Sequence, residues 1–309
     1  MDIREIRFGD YSASVNVSRG ANCINLRHSG YGARILREPS YESGELDNPY
    51  LYGMPILFPV NRISGGCFSF EGREYVFPIN EPLTNCHLHG ELHRAPFSVL
   101  EQSDDRIVCS FRADKERPYL SFPHEFEIII EYSLSDDGLY QKTTVRNLSG
   151  ENMPCMLGFH TTFNFRFAGE GTVEVGAEIS EEYERNMKNY LPTGKKPDFD
   201  EVSEALLGGS FSPFGRPISR HYRATRGGRL WLRNAGKALR VIYENDEKLG
   251  FRLIYNGAAD EYICLEPQTS LANAPNSPFD RSEAGFGYIP PHQEITYHSR
   301  IYIMKEKNI

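Results

Sequence analysis

The chain has 309 residues, 39% of them hydrophobic and 12% aromatic, enough for a large core and too apolar for a disordered chain. Its net charge of −8, from 34 basic and 42 acidic residues without a sustained basic run, argues against nucleic acid and anionic membrane surfaces as partners. No uninterrupted apolar stretch approaches the roughly 18 residues of a membrane-spanning helix.

The start, Met1-Asp2-Ile3-Arg4-Glu5-Ile6-Arg7, has no apolar segment of the kind a secretory signal carries. The six cysteines are scattered without CxxC pairs. Reduced thiols and a cytoplasmic location are the expectation.

Along the chain, period-two alternation dominates. Strands are expected over 12–17, 23–27, 33–37, 68–70, 74–77, 97–101 and 106–112. The clearest is 126–134, where every even position is apolar and three of the four odd ones are polar. Ser135-Asp136-Asp137-Gly138 then reads as a turn, with a returning strand over 139–147. Further strands are expected over 153–159, 173–177, 230–232, 238–243, 251–255 and 295–304. Helical patterns are short, at 180–189 and 202–207. The stretch 192–228, rich in Gly, Pro and Ser, reads as a long loop region. Strands do not alternate with long helices, so the expected fold class is all-β: a large antiparallel β-sandwich in one domain, 1–309.

Three apolar runs far apart in the chain are each interrupted by an ionisable residue. They are Leu57-Phe58-Pro59-Val60-Asn61-Arg62-Ile63, Gly158-Phe159-His160-Thr161-Thr162-Phe163-Asn164-Phe165 and Ile263-Cys264-Leu265-Glu266-Pro267-Gln268-Thr269. An ionisable group in an apolar strand costs several kcal/mol unless it is paired or used. A guanidinium, an imidazole and a carboxylate so placed suggest one polar site able to hold a polyol and move protons on it. Taken singly, each also fits a satisfied core residue. A second cluster, His87, His89 and His93, has the spacing H-x-H-x3-H. On a strand, His87 and His89 would share a face and could ligate a metal. The third histidine lies beyond a Gly-Glu-Leu turn and no carboxylate follows at a matching spacing, so a polar binding-site histidine is the preferred reading.

Together these segments resemble the aldose 1-epimerase (galactose mutarotase) family. The resemblance runs from Gly20-Ala21-Asn22-Cys23 through Phe58-Pro59-Val60-Asn61-Arg62-Ile63 and Leu88-His89-Gly90. It continues through Gly158-Phe159-His160 and Tyr190-Leu191-Pro192-Thr193-Gly194 to Cys264-Leu265-Glu266-Pro267-Gln268 and Ala274-Pro275-Asn276. It implies a supersandwich with an open carbohydrate cleft and an isomerase that needs no cofactor and no metal. His160 would be the general acid at the sugar ring oxygen and Glu266 the general base at the anomeric hydroxyl. Arg62, His89 and Asn61 would bind the sugar, with an aromatic such as Phe163 or Tyr255 stacked on it. The family's sugar-binding Asp falls in the region Pro217-Ile218-Ser219-Arg220-His221-Tyr222-Arg223, where Arg220 takes its place. A cation there favours a different or an anionic sugar, with Arg94, Arg216, Arg223 and Arg226 also at hand. The expected function is therefore a mutarotase acting on a small-molecule aldose. The alternatives are a hexose-6-phosphate 1-epimerase on the same fold, a non-catalytic sugar-binding or sensing protein, and a metal-dependent double-sheet enzyme using His87, His89 and His93. A monomer or a homodimer is compatible with the pattern.

Overall fold

The computed structural model describes residues 2–40, 48–257 and 261–306. Two antiparallel sheets dominate. The larger has eight strands, in the spatial order Ser98–Gln102, Arg106–Ala113, Phe126–Ser135, Gly138–Asn147, Glu294–Lys305, Leu239–Asn245, Leu230–Asn234 and Val173–Ala177. The other runs Ile179–Tyr183, Ile218–Ala224, Phe251–Asn256, Tyr262–Gln268, Gly158–Phe159 and Ile56–Leu57, and Thr162–Asn164 pairs further along Tyr262–Gln268. A four-stranded N-terminal sheet and small two-stranded ribbons complete the described sheets. The buried apolar side chains of both large sheets form one continuous cluster. The all-β sandwich expected from the alternation is what the chain builds.

The 126–147 hairpin shows why. Phe126, Ile128, Ile130, Tyr132 and Leu134 are buried while the residues between them are half exposed. Each sits opposite a residue of Gly138–Asn147, from Phe126 facing Asn147 to Ser135 facing Gly138. Alternation of this kind fixes the register, because a slip of one residue would turn the apolar set outward.

Three expectations need correction. The 180–189 stretch is not helical: Ile179–Tyr183 is a strand that pairs with Ile218–Ala224, with a bulge between Ile179 and Glu181. The bulge breaks strict alternation, which is why the segment imitates a helical pattern. The 192–228 region is more than loop. It holds the helix Glu201–Gly208, capped by Asp200 at one end and by Gly209 at φ +73° at the other, and the strand Ile218–Ala224. The 153–159 strand divides into Met153–Cys155 and Gly158–Phe159, which join different sheets. The paired Tyr262–Gln268 strand is buried along its whole length, so it shows no alternation.

Candidate functional site

Register on the smaller sheet assembles the site. Glu266 faces Leu253 across Phe251–Asn256, Leu253 faces His221, and Tyr255 faces Ser219. Leu253, Tyr255, Ser219 and Glu266 therefore lie on one face, and all four line an open cleft of ≈ 710 Å³. His160 enters from the turn between Gly158–Phe159 and Thr162–Asn164. Arg62 opens a short strand, Arg62–Ser64, that pairs with Cys86–Leu88. His89, Tyr50, Glu81, Arg185 and Tyr190 close the remaining sides.

At the floor, His160 Nε2 lies 3.2 Å from Glu266 Oε1, with the carboxylate side chain wholly buried and the imidazole 8% exposed. Burial is the first cause of both pKa shifts. It holds His160 down to about 4 and pushes Glu266 up to about 8, against the opposing pull of Arg185 and Gln268. Between those values the pair keeps one proton. The two atoms are close without a hydrogen bond between them, and moving the carboxyl proton to the imidazole converts a neutral pair into an imidazolium–carboxylate pair.

The other Glu266 oxygen is held by a relay. Asn61 Nδ2 donates to Gln268 Oε1 at 3.2 Å, and Gln268 Nε2 donates to Glu266 Oε2 at 3.0 Å. Asn61 is itself 1% exposed and does not line the cleft, so its place is behind the carboxylate rather than on a sugar. Gln268 is absent from the sequence-derived candidates: a neutral amide leaves no charge signal in an apolar run.

His89 is oriented by backbone. Asn61 N–H donates to its Nδ1 at 3.2 Å, and His89 N–H donates to the Asn61 carbonyl at 3.0 Å. A ring nitrogen that accepts leaves the proton on Nε2. Burial holds His89 well below the usual imidazole range, so the ring is a neutral N–H donor on the cleft wall. Asn61 and His89 both adopt left-handed backbone, with φ +61° and +64°. Gly90 follows at φ +64°, and an added Cβ would meet the Phe58 carbonyl oxygen at 1.8 Å. Gly90→Ala should therefore cost ~3 kcal/mol of stability, measured by urea denaturation, through a clash that backbone cannot relieve cheaply.

The Cys86–Leu88 strand stops before His89, so His87 and His89 do not act on one face. His87 Nδ1 meets the Pro78 carbonyl at 2.8 Å, while His93 packs on Tyr50 at 4.6 Å between ring centroids. Among the described residues, the group whose ligand atoms converge is His160, Cys264 and Glu266, within 4.8 Å. Burial raises the Cys264 thiol well above its ordinary range, and the thiol contacts Thr162 Oγ1 at 3.4 Å. A protonated thiol is a poor metal ligand.

Arg62 lines the cleft with its charge already met. Its Nε and Nη2 make a two-pronged contact with Glu81 at 2.6 and 2.7 Å, and its guanidinium lies 4.7 Å from the Tyr190 ring centre. Tyr255 lines the cleft, whereas Phe163 is buried against Tyr243. Arg220 lies elsewhere. It is one residue out of phase with Ser219, so the pleat turns it away from Leu253 and Glu266. Its Nη1 and Nη2 grip Asp200, the helix cap, each at 2.7 Å, and Nη1 reaches Glu182 at 3.1 Å. Arg220→Ala should cost about 1 kcal/mol of stability and leave turnover within about twofold; thermal unfolding and a rate assay check the two halves. Ser219, not Arg220, faces the cleft, and Arg185 donates to both its carbonyl and its hydroxyl.

The large antiparallel β-sandwich, with a buried histidine and carboxylate in contact at the floor of its cleft, is a galactose mutarotase-like fold. Residues 5–299 match the family model described as aldose 1-epimerase, and the chain belongs to that family. A galactose mutarotase-like protein from Clostridium acetobutylicum is 30% identical over 99% of both chains, with a TM-score of 0.91. An aldose epimerase homologue from C. elegans has the same fold, with 16% identity, 99% coverage of both chains and a TM-score of 0.77. The uncharacterized protein YihR of Escherichia coli (strain K12) is 28% identical over 153 residues, 49% of this chain and 47% of that protein. The alignments thus span about half the length, or less, of the curated relatives the chain matches. No helix among the described residues is long and apolar enough to cross a membrane.

Proposed function

We propose that the protein is a mutarotase that interconverts the α and β anomers of an aldose. The observation that carries this is the contact of His160 with Glu266 at the floor of the cleft, 3.2 Å apart with both side chains buried. Anomer exchange needs a base to take the proton from O1 and an acid to supply one to O5. With the pair's proton on His160, Glu266 removes the O1 proton while His160 protonates O5. The C1–O5 bond breaks, and the aldehyde forms. The pair then holds its one proton on Glu266, the state that burial favours in the empty cleft. After C1 turns about C1–C2, the aldehyde oxygen takes that proton back and the new O5 hydroxyl returns its own to His160 as the ring closes. Protons balance within the pair, and the steps call on no group beyond these two side chains.

His89, as a neutral donor on the wall, and Arg62, held by Glu81, are suited to orient the ring and its hydroxyls. Tyr255 and Tyr190 offer aromatic faces to the sugar. The test is saturation-transfer NMR on a panel of aldoses with enzyme at catalytic concentration. Accelerated exchange between anomeric signals is the expected result. Binding without acceleration would instead favour a sugar-sensing protein.

A further inference from the structure

Among the arginines near the cleft, Arg185 stands apart. It is 8% exposed and lines both the cleft and an adjoining hollow of ≈ 690 Å³, with which the cleft shares Met187, Pro217, Ile218 and Ser219. Its Nη2 donates to the Ser219 carbonyl and hydroxyl at 2.5 and 2.7 Å, and Nε and Nη1 have no hydrogen-bond partner among the described residues. Nor does it form an ion pair among them, whereas Arg62, Arg220 and Arg223 each grip a carboxylate. Glu266 pulls on its charge without touching it, since that carboxylate contacts His160 and Gln268, and the Tyr190 ring centre lies 5.8 Å from the guanidinium. The other deeply buried arginine, Arg252, gives Nη1 and Nη2 to the carbonyls of Leu249, Phe251 and Gly228, leaves Nε without a partner, and lines neither hollow. Burial and the nearby Arg62 lower the Arg185 guanidinium to about 10, which still leaves it charged at neutral pH.

A nearly buried guanidinium with no carboxylate in contact keeps donor capacity that the protein itself does not fill. Sugar hydroxyls are served equally well by neutral donors such as His89, and they do not repay the desolvation of a guanidinium. An oxyanion does, through charge-assisted hydrogen bonds to the free N–H groups. We infer that the aldose taken by this cleft carries an oxyanion and that Arg185 is the residue that receives it. This rests on the mutarotase reading of the same cleft and narrows its substrate class.

The experiment measures anomer exchange and binding, by saturation-transfer NMR and line broadening, for glucose and galactose. Each is compared with its uronate, its 6-sulfate and its 6-phosphate, so the arms separate the sources of the anion. At least one anionic form should exceed its neutral parent about 10- to 100-fold in kcat/KM, mainly through KM. Arg185→Met should erase that preference, read as the ratio of anionic to neutral kcat/KM within the variant so that a shift in the titration of Glu266 affects both sugars alike, and Arg185→Lys should restore part of it. Thermal unfolding of Arg185→Met, which also loses the two hydrogen bonds to Ser219, checks that the Met variant is folded. If that variant fails to fold, the wild-type preference and the Lys variant decide. Neutral sugars handled as well as every anionic form would overturn the inference and leave the mutarotase reading standing. Arg185-dependent binding of an anionic aldose without any exchange would sustain the inference and remove the mutarotase reading.

Discussion

Glu266→Gln should lose about 10²–10⁴-fold in kcat with the fold intact. The amide matches the carboxyl in shape, and its oxygen can still accept the hydrogen bond that Gln268 Nε2 gives to Oε2. It cannot take a proton from O1. The same substitution has a signature in stability that does not depend on any substrate. The carboxyl titrates at about 8 in the fold against an ordinary value of 4.5, because burial disfavours the charge. Between those values the folded chain holds a proton that the unfolded chain has released, so stability falls as pH rises through that window and is level above it. His160 works in the opposite sense. Its ring titrates at about 4 against 6.5, so stability is lost as pH falls from 6.5 to 4. From 4.5 to 6.5 the two slopes oppose each other, and from 6.5 to 8 the carboxyl acts alone. Urea denaturation across pH should show this decline between 6.5 and 8 in the wild type and its absence in Glu266→Gln. A wild type and variant with parallel profiles, or a variant with unimpaired exchange, would remove Glu266 from the role of base.

What the amino-acid pattern discloses, and what it hides, follows from the kind of signal each residue leaves. The Phe126–Ser135 strand is legible because one face is core and the other solvent, so side-chain chemistry alternates with the pleat. His160, Glu266 and Arg62 are visible because each interrupts an apolar run. Arg185 leaves no such mark. It follows Tyr183 and Glu184 in a polar stretch, and its burial comes from tertiary packing against the Ile218–Ala224 strand, to which Ser219 belongs. Arg220 shows the opposite failure. Its charge attracts attention in the right strand, but the choice between Ser219 and Arg220 is a matter of one residue of phase. Phase is set by the pairing of Ile218–Ala224 with Phe251–Asn256, not by local composition. Asn61 is legible as a special residue, yet its side chain donates to Gln268, a contact across 207 positions of sequence.

His160→Asn should also cost about 10²–10⁴-fold in kcat, and the double variant with Glu266→Gln should be scarcely worse than the poorer single one. The two side chains share one proton, and either loss stops the same transfer. The pH profile of kcat/KM tests this sharing directly. A pair that titrates with apparent values near 4 and near 8 carries one proton between them, and the profile should be level there. Below the lower value both groups are protonated and no base remains; above the upper value neither carries a proton and no acid remains. His160→Asn removes the acid, so its residual activity depends on Glu266 alone as base. That residual rate should rise with pH through the carboxyl's own titration and then stay level, without the alkaline decline. An alkaline limb that persists in His160→Asn would place the acid on another group. His89, which lines the same cleft and whose ring centre lies 5.6 Å from that of His160, would then take its place.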